Sequence, residues 1–144
     1  MDLFIGARTV AYEYGRIPQS YLLKNDGTGK FLDVTETYAK ELSRIGFVKK
    51  ATWFDIDKDG DPDLLLALEW GGIVAFMNDK GKLTKKVLTD KKGWWNFVLP
   101  VDVDGDGDID LVAGNLGLNS RLKASENEPV RLYYNDFDNN GKDE

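Results

Sequence analysis

Cysteine and histidine are both absent from this chain. Their absence removes disulfide stapling, thiol catalysis, zinc sites of the Cys/His kind and imidazole acid–base chemistry. It does not assign a compartment, because exported bacterial proteins also do without disulfides. Long apolar runs are missing too, and nothing approaches the roughly 20 residues of a membrane-spanning helix. The opening Met1-Asp2-Leu3-Phe4-Ile5-Gly6 lacks the basic start and long apolar stretch of a signal peptide. What remains is 144 residues with 42% hydrophobic and 12% aromatic content, enough for a folded domain with a core.

The net charge of −6 is unevenly spread. Residues 55–63, 102–110 and 136–144 hold fourteen of the 25 acids and only two of the 19 basic residues, Lys58 and Lys142. Acidic charge gathered into three short loops repels itself unless a divalent ion sits within it. Three bound Ca²⁺ ions would bring the total close to zero.

The three loops are copies of one pattern, Asp-x-Asp-x-Asp-Gly-x-x-Asp. The first places Asp55, Asp57, Asp59, Asp61 and Asp63 around Gly60, and the second Asp102, Asp104, Asp106, Asp108 and Asp110 around Gly107. The third is altered: Asp136, Asp138, Asn140, Lys142 and Glu144 around Gly141. Carboxylates at positions 1, 3 and 5 of a tight loop converge on one point, and glycine at position 6 allows the turn. A backbone carbonyl at position 7 and the acid at position 9 complete an oxygen cage suited to calcium rather than magnesium or zinc. Position 2 is apolar in all three copies (Ile56, Val103, Phe137), as expected of a residue pointing to the core. An EF-hand is excluded, since its position-12 glutamate falls on Leu66 and Ala113. The glycine-rich β-helix repeat is excluded by the absence of its Gly-Gly-x-Gly-x-Asp pattern.

Between the loops lie short apolar runs bounded by Gly, Asn and Asp: residues 51–56, 64–68, 73–77, 95–99 and 111–113. They read as buried strands. A second recurring element, Asn25-Asp-Gly-Thr-Gly-Lys-Phe31 and Asn78-Asp-Lys-Gly-Lys-Leu83, reads as a turn between strands. One short helix is expected at Glu36–Leu42, before Gly46. The expected architecture is all-β: a partial β-propeller of about three blades, with units at 1–63, 64–110 and 111–144 and calcium loops between strands. Asp2-Leu3-Phe4-Ile5-Gly6 matches Asp63-Leu64-Leu65-Leu66 and Asp110-Leu111-Val112-Ala113-Gly114, which makes Asp2 the last position of a loop. The chain is accordingly expected to be a piece of a longer propeller, with open edges through which it can self-associate.

On the three Asp loops, the Asn25–Thr35 segment, Gly93-Trp-Trp-Asn96 and Ala113-Gly-Asn-Leu-Gly-Leu-Asn119, the sequence resembles the FG-GAP/VCBS repeat family. That family's calcium loops decorate the propellers of integrin α subunits, and the last two segments are most similar to bacterial proteins resembling cartilage acidic protein. The resemblance implies an extracellular, periplasmic or cell-surface location and a calcium-stabilised propeller; it does not imply a known reaction.

Three functions are weighed on the residues. A non-enzymatic scaffold in an exported adhesion or recognition protein leads, its partner a protein or glycan. A carbohydrate- or peptide-binding face made of Trp94, Trp95, Asn96, Asn115, Asn119 and Arg121 is the alternative. Against it, tryptophans more often pack a core and asparagines hold turns. An enzyme is disfavoured, because the acids recur in register as metal cages require. Glu13, Glu36, Glu41 and Glu69 are dispersed and read as ordinary surface acids. The lysine pairs Lys49-Lys50, Lys85-Lys86 and Lys91-Lys92 are scattered, which suits soluble strand edges and not nucleic acid.

Overall fold

The computed structural model describes residues 2–141 and 143. Strands β1 (Leu3–Ile5), β2 (Tyr21–Asn25) and β3 (Phe31–Asp33) form a three-stranded antiparallel sheet. The expected helix before Gly46 is split into a short α1 (Thr35–Tyr38) and a 3-10 turn (Lys40–Leu42). A four-stranded antiparallel sheet follows: β4 (Phe47–Phe54), β5 (Asp63–Asp79), β6 (Lys82–Val101) and β7 (Asp110–Asn115), paired in that order.

The expected strands at 64–68 and 73–77 are one strand, β5. Its first half pairs with β4 and its second half with the start of β6, while the end of β6 pairs with β7. The sheet curls as the partners hand over. The handover falls at Trp70-Gly71-Gly72, where the β5–β6 register shifts repeatedly. Gly72 makes the close approach possible, since a Cβ there would overlap the Thr89 carbonyl oxygen.

Leu64 to Leu68 are buried without a break, because β5 has apolar neighbours on both faces. Leu64, Leu66 and Leu68 pack with Leu22, Leu42, Val48, Val74 and Phe76, which joins the two sheets. Leu65 and Ala67 pack on the opposite face with Ile73, Ala75 and Val98. Burying each such leucine is worth about 2–3 kcal/mol.

A buried hydroxyl locks the N-terminal hairpin to this core. Thr35, only 2% exposed, accepts the Leu22 N–H at 2.8 Å and donates its hydroxyl to Asp33 Oδ1 at 2.6 Å.

The architecture is all-β and, together with its repeats, consistent with a partial propeller. It differs from three four-stranded blades: the described residues form one three-stranded and one four-stranded sheet, and residues 116–141 add no strand. The physical reason is compositional. Leu116 to Pro129 is rich in Asn, Ser and charge, which favours turns over a ladder.

Candidate metal centre

In the first loop Asp55, Asp57 and Asp63 bring carboxylate oxygens within 4.8 Å of one another. Asp102, Asp104 and Asp106 do the same in the second. Each first aspartate caps the turn with both oxygens. Asp55 accepts the N–H groups of Asp59 and Gly60 at 3.1 and 3.0 Å, and Asp102 those of Gly105 and Gly107 at 2.7 and 3.0 Å.

The loops share a backbone device beyond their glycine at position 6. Position 4 is left-handed in all three: Lys58 at φ 61°, Gly105 at 78° and Asn139 at 58°. Position 6 is left-handed as well, with Gly60 at 96°, Gly107 at 88° and Gly141 at 83°. Two such residues, two positions apart, curl the chain tightly enough for alternate carboxylates to face inward.

Position 9 anchors the loop to the sheet. Asp63 is fully buried at the first residue of β5. Its Oδ2 accepts the Ile56 N–H at 2.9 Å and its Oδ1 accepts the Asn78 N–H at 2.7 Å. Asp110 repeats the first contact, accepting the Val103 N–H at 3.1 Å. Asp2 repeats the second, accepting the Asn25 N–H at 3.0 Å, which places it structurally where the sequence alignment of Asp2 with Asp63 puts it.

The position-5 and position-7 acids also have backbone or side-chain partners. Asp59 and Asp106 accept the N–H two residues on, from Asp61 and Asp108, both at 2.8 Å. Asp61 turns away to accept the Lys80 N–H at 3.1 Å. Asp108 lies largely exposed and pairs with Lys58, whose Nζ also donates to the Gly107 carbonyl at 3.1 Å. In the third loop Asp136 caps Asn140 and Gly141 at 3.0 and 2.8 Å, and Asp138 accepts from Asn140. Lys142 and Glu144 lie outside the described residues.

The proposed ligand face divides. Trp94 and Asn115 line one cleft. Trp95 packs against the Leu65–Val98 cluster and donates its indole N–H to the Lys91 carbonyl at 2.9 Å. Asn96 donates to the Trp94 carbonyl at 3.2 Å, while Asn119 and Arg121 line an adjoining shallow depression that shares Leu118 and Ser120 with the cleft.

Glu69 is not an ordinary surface acid. Its side chain is 11% exposed and receives Arg8 Nε at 2.8 Å, with Tyr14 Oη at 3.4 Å and Lys49 Nζ at 4.0 Å. The Arg8 hydrogen bond holds its carboxyl below the usual range, against the opposing effect of burial. Arg8 and Tyr14, from the connection between β1 and β2, meet a strand residue 55 to 61 positions away, a contact that only the folded chain makes.

The family model described as an FG-GAP-like repeat matches residues 55–113, from the first residue of the first loop to the middle of β7. No curated protein matches the chain. The chain therefore carries an FG-GAP-like repeat whose two ends are the two acidic clusters.

Proposed function

We propose that this chain is a calcium-stabilised, non-enzymatic propeller module of an exported adhesion or recognition protein. The observation that carries the reading is Asp63, which belongs both to the acidic cluster and to the hydrogen bonds that start β5. An ion held by Asp55, Asp57 and Asp63 acts on the register of the sheet through that one side chain. The donor set fits: three carboxylates and no nitrogen or sulfur ligand match a hard cation, and their crowding needs a counter-charge. Asp102, Asp104 and Asp106 form the second site.

The role is structural. Binding to the folded state alone stabilises it by linkage, about 3 kcal/mol when calcium exceeds its dissociation constant a hundredfold. The acids recur in register, as repeated cages do, and no pair stands apart as an acid and a base. Extracellular calcium modules bind at about 10⁻⁴–10⁻³ M, which matches loops as exposed as these and an exported location. The Trp-Trp-Asn and Gly-Asn-Leu-Gly-Leu-Asn segments support a kinship with bacterial proteins resembling cartilage acidic protein. No helix among the described residues is long and apolar enough to cross a membrane.

The test is calorimetric titration of Ca²⁺ and Mg²⁺ into chelator-stripped protein, paired with thermal unfolding. Two calcium ions are expected, with little heat from magnesium and a melting temperature lowered by excess chelator and restored by Ca²⁺. A melting temperature indifferent to chelator would end the structural-calcium reading.

A further inference from the structure

A cleft of about 920 Å³ opens beside the β5 bulge, and its charged lining residues are mostly cationic. Trp70 and Trp94 meet edge to face in it, ring centroids 5.3 Å apart. Lys91, Lys92 and Arg131 also line it, with Glu126 the one acid among the lining residues. Among the described residues, none of these three cations has a salt-bridge partner. Unpaired positive charge converging on aromatic surface stands out in a chain of net charge −6.

The cleft is built rather than incidental. Trp70 sits at φ 60°, a left-handed conformation that a bulky residue adopts only when its surroundings impose it. The imposing contacts are visible: the Trp70 indole N–H donates to Tyr14 Oη at 2.8 Å, and Tyr14 donates to Glu69, held in turn by Arg8. Trp94 is fixed from the other side by its backbone carbonyl, which accepts the Leu116 N–H at 3.1 Å. Both rings are half-buried and partly open. Rigid aromatic surface flanked by free cations suits a ligand with an apolar face and anionic groups.

We infer that this cleft binds an acidic saccharide, its sugar C–H face against Trp70 and Trp94 and its carboxylates on Lys91, Lys92 and Arg131. An acidic peptide fits less well. Extended peptides dock by adding main-chain hydrogen bonds to a sheet edge. Here β5 and β6 are already paired with each other across the bulge, and the cleft offers side chains.

Calorimetric titration of the full chain at fixed calcium tests this, with a hyaluronan tetrasaccharide as the acidic probe. Chitotetraose serves as the neutral saccharide and tetraglutamate as the acidic peptide. Saturable binding of hyaluronan is expected, weakened by added salt, with none of chitotetraose. Affinity should fall at least tenfold in Trp94→Ala and in the surface double variant Lys91→Gln/Lys92→Gln. The double variant decides the matter alone if Trp94→Ala does not fold. Absence of saturable hyaluronan binding, an affinity unchanged in the double variant, or equal binding of tetraglutamate would each overturn the proposal.

Discussion

The buried carboxylate of Asp63 accepts the backbone N–H of Asn78 at 2.7 Å, across fifteen residues of chain. Asn78 in turn opens the β5–β6 turn, its Oδ1 accepting the Gly81 N–H at 2.8 Å and its Nδ2 donating to the Pro62 carbonyl at 3.0 Å. An acidic loop and a hairpin turn are thereby one hydrogen-bonded unit. The Asp2–Asn25 contact at 3.0 Å builds part of the same unit between β1 and β2.

Asp63→Ala should destabilise the fold even without calcium. Removal leaves the Ile56 and Asn78 N–H groups without their acceptor, which costs roughly 2–5 kcal/mol. Urea denaturation in excess chelator measures this part. Repeating it in calcium should show a larger loss, because the same substitution removes a candidate ion ligand.

The left-handed positions separate backbone strain from packing. Around Gly60 no atom lies within 4 Å of the place a Cβ would occupy, so Gly60→Ala adds no clash. Its cost is conformational alone, about 1–2 kcal/mol. Lys58→Gly at the neighbouring left-handed position should go the other way and raise stability by up to about 1 kcal/mol. The exposed Lys58–Asp108 pair lost in that variant contributes little. Opposite shifts of the denaturation midpoint in the two variants are the expected result.

Glu69 sets an acid-sensitive contact. Its carboxyl is held below the ordinary value of 4.5, chiefly by the Arg8 hydrogen bond. A depressed carboxyl stabilises the fold above its unfolded value, and that stability is lost as pH falls through the folded one. Unfolding free energy should therefore drop below about pH 4.5 more steeply in the wild type than in Glu69→Gln. Equal slopes in the two proteins, followed by circular dichroism, would contradict the ion pair.

The cores and the loops were legible to different degrees. Leu64 to Leu68 declares a strand buried on both faces through composition alone, and the turns at Asn25 and Asn78 declare themselves by Asn, Asp and Gly. The continuity of β5 through Trp70-Gly71-Gly72 was hidden, because two glycines in a row ordinarily signal a break. Here Gly72 serves the close approach of Thr89, and Gly71 leaves room for the Leu68 side chain. Trp94 and Trp95 look alike in sequence, yet strand alternation sends one into the cleft and the other onto the Val98 cluster.

Calcium-type loops were the first thing the sequence declared, and local geometry explains why. Alternate aspartates and a left-handed glycine act within nine residues, so their spacing alone determines that carboxylates can converge. Which carboxylates converge was decided by the tertiary structure. Asp63 joins Asp55 and Asp57 because strand pairing buries it at the start of β5, whereas in the second loop Asp106 joins Asp102 and Asp104. The Glu69–Arg8–Tyr14–Trp70 network belongs to the same category. Its members come from two segments more than fifty residues apart, and only the folded chain brings their opposite charges and donors within hydrogen-bond reach.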